Sequence, residues 1–165
     1  MSSPSPSLPD VRETLLRAIQ IEARNAAVYE AFAQLFQGYD DAVMNIFREM
    51  AEEERQHGAE LEQRYRERFN DAPPPGPEPK EVIEAPDLED AEALIFDSMT
   101  IEQALETGLR AEETAREFYR REVLRTPDPA LQRVYRELGE FEETHVRLLR
   151  QKLAEKRCGP DSIPR

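Results

Sequence analysis

From Leu15 onward, apolar residues recur at spacings of three and four: Leu15, Ile19, Ala26, Tyr29, Ala33 and Phe36, with Glu22 inside the same series. That period lays one face of a long helix against a core. After Gln37-Gly38-Tyr39-Asp40-Asp41, which reads as a turn, the pattern resumes with Val43, Phe47, Met50, Leu61 and Tyr65 and ends near Phe69. Glu54 and His57 interrupt this second stripe, whereas Glu52, Glu53 and Glu60 fall off it and read as solvated. A third stripe runs through Ile101, Leu105, Leu109, Glu112, Ala115, Tyr119 and Val123, opened by Thr100 and Gln103 as a capping box. Thr126-Pro127-Asp128-Pro129 makes a sharp turn, with Asp128 as cap and Pro129 in the first helical position. The last stripe is Leu131, Tyr135, Leu138, Glu142, His145 and Leu149, stopping at Cys158-Gly159-Pro160.

Between the second and third stripes, residues 71–99 hold Pro73-Pro74-Pro75-Gly76-Pro77 and Pro79, which cannot continue a helix and read as a stiff crossover. Leu88 to Phe96 is expected to add a short helix. A long connection lets the second hairpin dock beside the first, so the expected fold is an all-α four-helix bundle spanning residues 10–157. Asp10 with Glu13 is expected to start it, residues 1–9 are read as disordered, and residues 158–165 as a loose tail.

Composition narrows the chemistry. With 165 residues the chain suits one domain. A net charge of −13 argues against nucleic acid and anionic membrane surfaces as partners, and is compatible with drawing in cations. The single cysteine, Cys158, excludes a disulfide framework and any Cys-x-x-Cys metal site. No apolar run is long enough to span a bilayer, and Met1 to Asp10 has neither the basic residues nor the apolar core of a secretory signal, so the expected location is the cytoplasm.

The sequence has only two histidines, and both lie in Glu-x-x-His: Glu54 with His57, and Glu142 with His145. On a helix, residues at i and i+3 share a face, so each pair can aim a carboxylate oxygen and an imidazole nitrogen at one point. With 35 acidic residues in the chain, spacing alone is only suggestive. Position decides. Glu22 is sixteen residues before Gly38 and Glu54 sixteen after it, while Glu112 and Glu142 are each fifteen from Pro127. At ~1.5 Å rise per residue, both hairpins carry their glutamates about 23 Å from the turn. Docked face to face, they gather four glutamates and two histidines at one level. So many carboxylates cannot all ionise together unless cations neutralise them, and two divalent ions supply that charge. The donor balance suits iron or manganese better than calcium or magnesium, and the lack of thiolates disfavours structural zinc.

An internal repeat is visible as well: Glu22-x6-Tyr29 and Glu54-x-x-His57 are echoed by Glu112-x6-Tyr119 and Glu142-x-x-His145. On these motifs the chain resembles the ferritin-like superfamily, and within it the diiron domain of rubrerythrins, over roughly residues 10–157. The resemblance implies a metal set of Glu22, Glu54, His57, Glu112, Glu142 and His145, through which any catalysis runs. Glu54 and Glu142 would bridge two irons, Glu22 and His57 would complete one ion's shell, and Glu112 and His145 the other's. Tyr29 and Tyr119 read as core aromatics whose hydroxyls bond a carboxylate. Two departures stand out. No four-cysteine rubredoxin-like iron site is present, and the extra third-helix glutamate of rubrerythrins has no counterpart at Leu109 or Ala115, with Glu113 turned about a quarter circle away. No haem is expected, because Arg55 follows Glu54 and no methionine stands where bacterioferritins bind haem.

The resemblance implies a non-haem diiron oxidoreductase that reduces hydrogen peroxide with electrons from an external donor. An antiparallel homodimer is expected separately, since one long bundle often leaves an apolar flank to cover. A ferroxidase or iron-handling protein using dioxygen, and a bundle that metal merely stabilises, are the alternatives; manganese with catalase-like chemistry is a weaker one.

Overall fold

Each apolar stripe becomes the inward face of one helix in the computed structural model, which describes residues 11–74 and 99–158. Among them are four helices and no strand: α1 (Val11–Phe36), α2 (Asp41–Phe69), α3 (Ile101–Arg125) and α4 (Pro129–Arg157). The Asp10 cap, the predicted short helix at 88–96, most of the crossover and nearly all of both termini lie outside the described residues.

The local signals act where expected. Gly38 takes a left-handed backbone (φ +77°), which a Cβ would disfavour, and the amides of Tyr39 and Asp40 both close on the Phe36 carbonyl at 3.0 Å. Asp40 then caps α2 by accepting from the Val43 amide, and left-handed Asn70 ends it. Thr100 and Gln103 close a reciprocal capping box on α3. Asp128 accepts from the amides of Ala130 and Leu131 at 2.8 and 3.4 Å, so Pro129, which has no amide hydrogen to satisfy, sits without loss at the start of α4.

Contacts between hairpins set the register. Along one side of the bundle Asp40 meets Lys156, Glu53 meets His145 and Arg68 meets Asp128, so α2 and α4 run antiparallel as neighbours. Along the opposite side Tyr29 meets Glu112 and Glu22 meets Tyr119, so α1 and α3 do the same. The core lies in two apolar clusters. One, near the α1–α2 turn, includes Phe32, Phe36, Phe47, Met50, Leu105 and Leu149; the other, near the α3–α4 turn, includes Leu15, Ile19, Leu61, Leu131, Tyr135 and Leu138. Full burial of each such side chain contributes roughly 1.5–3 kcal/mol. Between the two clusters lies a polar layer. None of the four helices is long and apolar enough to cross a membrane.

Asp128 both caps α4 and pairs with Arg68, so Asp128→Ala is expected to lower unfolding stability by about 1–2 kcal/mol. A urea unfolding midpoint equal to that of the wild type would show that α4 starts without its cap.

Candidate metal centre

The polar layer forms because α1, α2, α3 and α4 each interrupt their apolar stripe at one height. Glu22, Glu54, Glu112 and Glu142 are each 0% exposed, and His57 and His145 are buried beside them. The helical i, i+3 spacing puts His57 on the face of Glu54 and His145 on the face of Glu142. All six ligand candidates named from the motifs are therefore brought together.

They fall into two overlapping groups. Glu22, Glu54, His57 and Glu142 can each turn one ligand atom into a cluster whose members lie within 4.8 Å of one another, and so can Glu54, Glu112, Glu142 and His145. Glu54 and Glu142 belong to both. Both imidazoles point Nδ1 inward: His57 Nδ1 lies 3.4 Å from Glu22, and His145 Nδ1 lies 3.2, 3.4 and 3.8 Å from Glu54, Glu112 and Glu142.

Two tyrosines hold the layer from the outside. The Tyr29 hydroxyl on α1 donates to Glu112 on α3, and the Tyr119 hydroxyl on α3 donates to Glu22 on α1. The bonds cross between hairpins, so each hairpin orients a carboxylate of the other. Burial first, and then the adjacent carboxylates, raise both phenols well above their ordinary value, which keeps the protons on the tyrosines.

Ionisation is uneven across the layer. Burial, joined by neighbouring carboxylates, pushes Glu54 and Glu142 well above the carboxylate range. Burial also works on Glu112, but the adjacent Glu142 carboxyl and His145 imidazole outweigh it and leave that group low. His145 is depressed by burial, yet its contacts with Glu112 and Glu54 win and raise it to about 11.

The donor set fits metal. Glu22 Oε2, both carboxylate oxygens of Glu54 and of Glu142, and His57 Nδ1 are buried with no hydrogen-bond partner. Glu54 Oε1 is near His145 Nδ1, but off the direction a hydrogen bond needs. Each unsatisfied buried polar atom costs about 1–3 kcal/mol, and more when charged. Metal ions held between the groups would satisfy these atoms at once, and a set of oxygens and imidazoles without thiolate suits iron or manganese.

Two surface glutamates differ in what they do. Glu113 pairs with Arg150 at 2.6 Å, away from the layer. Glu53, which the apolar stripe assigns to solvent, is indeed 54% exposed along its side chain, yet its carboxylate lies 2.6 Å from His145 Nε2. The expectation that Glu53 is merely solvated is thus corrected. Its signal was the antiparallel register of α2 and α4, which sets the residue before Glu54 opposite the one-turn neighbourhood of His145.

A rubrerythrin family model matches residues 13–153 of the chain. Among solved structures, an uncharacterized conserved protein from Magnetospirillum magnetotacticum is similar at 22% identity, covering 94% of this chain and 97% of that one with a TM-score of 0.67. A hypothetical protein from Pyrococcus furiosus is similar at 24% identity, covering 88% of this chain and 89% of that one, again with a TM-score of 0.67. These likenesses show the fold. No curated protein matches the chain.

Because the folded metal-free layer holds Glu54 and Glu142 above the ordinary carboxylate value and His145 up to about 11, it carries protons that a metal must displace. Raising the pH weakens that competition, so divalent-metal affinity is expected to rise from pH 6 to pH 8, with protons released on loading. Calorimetric titration in buffers of different ionisation enthalpy measures the release; a net proton count of zero contradicts this account of the layer.

Proposed function

The chain belongs to the rubrerythrin family, and we propose that its buried layer is a non-haem two-iron centre that reduces hydrogen peroxide with electrons from an external donor. The observation that carries this reading is the sharing of Glu54 and Glu142 by two ligand groups. Two carboxylates reachable from both groups suit a pair of ions close enough to act on one small molecule. Glu22 and His57 would complete the shell on one side, Glu112 and His145 on the other.

When bound, two ferrous ions would supply two electrons and Lewis acidity for splitting the oxygen–oxygen bond, so that peroxide, two electrons and two protons give two waters. The residues around them have separable tasks. Glu54 and Glu142, free of hydrogen bonds, can change how they bind without breaking one. Glu22 and Glu112 are each held at one oxygen by a tyrosine hydroxyl, which leaves the other oxygen to bind and limits carboxylate rotation. The raised phenols keep Tyr29 and Tyr119 as donors near neutral pH. The apolar clusters on either side limit bulk water, which strengthens each electrostatic contact within the layer.

Anaerobic ferrous titration of the purified apoprotein is expected to saturate at about two irons per chain, and the loaded protein to be oxidised much faster by peroxide than by air. Faster oxidation by air would replace the peroxidase reading with ferroxidase chemistry. Absence of stoichiometric iron binding would overturn both. Glu54→Ala and Glu142→Ala, each removing a shared ligand, are expected to lose paired loading, and two tightly held irons in either variant would contradict the assignment of the bridges.

A further inference from the structure

Within the repeat that makes the two halves of the layer alike, one pair of differing positions lies against the two histidines. The residue before Glu54 is Glu53, whereas the residue before Glu142 is Phe141. Because α2 and α4 are antiparallel neighbours, each of these residues reaches across to the histidine of the opposite helix. Glu53 places its carboxylate 2.6 Å from His145 Nε2. Phe141 places its ring over His57, with centroids 4.8 Å apart and a 47° tilt. A carboxylate accepts only, so the contact with Glu53 fixes the proton on His145 Nε2 and aims Nδ1 at Glu54, Glu112 and Glu142. Among the described residues no side chain hydrogen-bonds His57 Nε2, and the ring contact of His57 is Phe141. A tilted phenyl ring packs against the imidazole without choosing its tautomer.

The geometry points to Glu53 as a positioning residue that makes the two metal positions unequal: the one on the His145 side is oriented by a carboxylate, and the one on the His57 side is not. The inference rests on the two-metal reading above and deepens it. A carboxylate behind a ligating histidine raises the basicity of the ligand and removes its rotational freedom, and loss of such a partner typically costs about 10–100-fold in metal affinity. The ion on the Glu112/His145 side therefore binds first and is held more tightly. The ion on the Glu22/His57 side is the more readily exchanged, and its histidine can turn about the ring axis against Phe141. Both differences trace to the contacts made by Glu53 and Phe141.

Cobalt(II), titrated into the full chain against a competing chelator, tests this. The wild type is expected to bind two ions with unequal affinities. Glu53→Ala should weaken the tighter step by about 10–100-fold and leave the weaker step in place. Glu53→Gln, which keeps an acceptor oxygen, should recover much of the loss, and Phe141→Glu, which sets a carboxylate behind His57, should tighten the weaker step. Proton NMR of the cobalt-loaded protein gives a second readout. One paramagnetically shifted ring N–H should exchange slowly with water in the wild type and rapidly in Glu53→Ala, a change confined to one histidine that general loosening of the bundle would not produce. If two ions bind but Glu53→Ala weakens both steps alike, or neither, the positioning role is overturned and the two-metal reading stands. If the wild type binds fewer than two ions, the two-metal reading fails, and this inference with it.

Discussion

Four carboxyl groups at one height inside a helical bundle repel one another and lose their hydration, and the rest of the molecule answers that constraint. The apolar clusters above and below hold the helices together at both ends of the layer, so that the layer itself need not contribute to folding. The two tyrosine hydroxyls each take up one oxygen, and the imidazolium of His145 takes up part of the charge. What these leave over, the free oxygens of Glu22, Glu54 and Glu142 and the free nitrogen of His57, is turned toward the centre. A bundle selected only for stability would fill such a layer with leucine. The retained polar atoms are therefore the strongest argument that the layer serves a ligand.

The crossed tyrosines join this site to the fold. Tyr29 belongs to the apolar cluster beside the first turn, stacked at 5.9 Å on Phe47, and Tyr119 to the cluster beside the second, stacked at 6.0 Å on Tyr135. Each ring is held by the core of one end while its hydroxyl holds a carboxylate across the α1–α3 seam. Packing of the core and geometry of the site are thus coupled through the same two side chains. Near-symmetry supplies the two-sided site, and the departure at Glu53 and Phe141 supplies a difference between its sides.

Much of this was legible in the residues alone. The period of three and four located the four helices of the described residues, the caps at Thr100 and Asp128 set two starts, and equal distances from the turns placed Glu22 with Glu54 and Glu112 with Glu142. The hydroxyl bonds of Tyr29 and Tyr119 were expected, but not that each would cross to the opposite hairpin, because periodicity within a helix does not reveal which helices are neighbours. Glu53 was missed for the same reason. Its position off the apolar stripe is real, and only the register between α2 and α4 brings a half-exposed carboxylate to the outer nitrogen of a buried histidine.

The most direct test of the account is a crystal structure of the protein loaded with iron without oxygen, with the metal positions located by anomalous scattering at the iron edge. Two peaks are expected in the polar layer, with Glu54 and Glu142 each touching both, Glu22 and His57 touching one, and Glu112 and His145 touching the other. A single peak, or iron bound only at surface carboxylates while the buried glutamates remain protonated and bonded to one another, would contradict it.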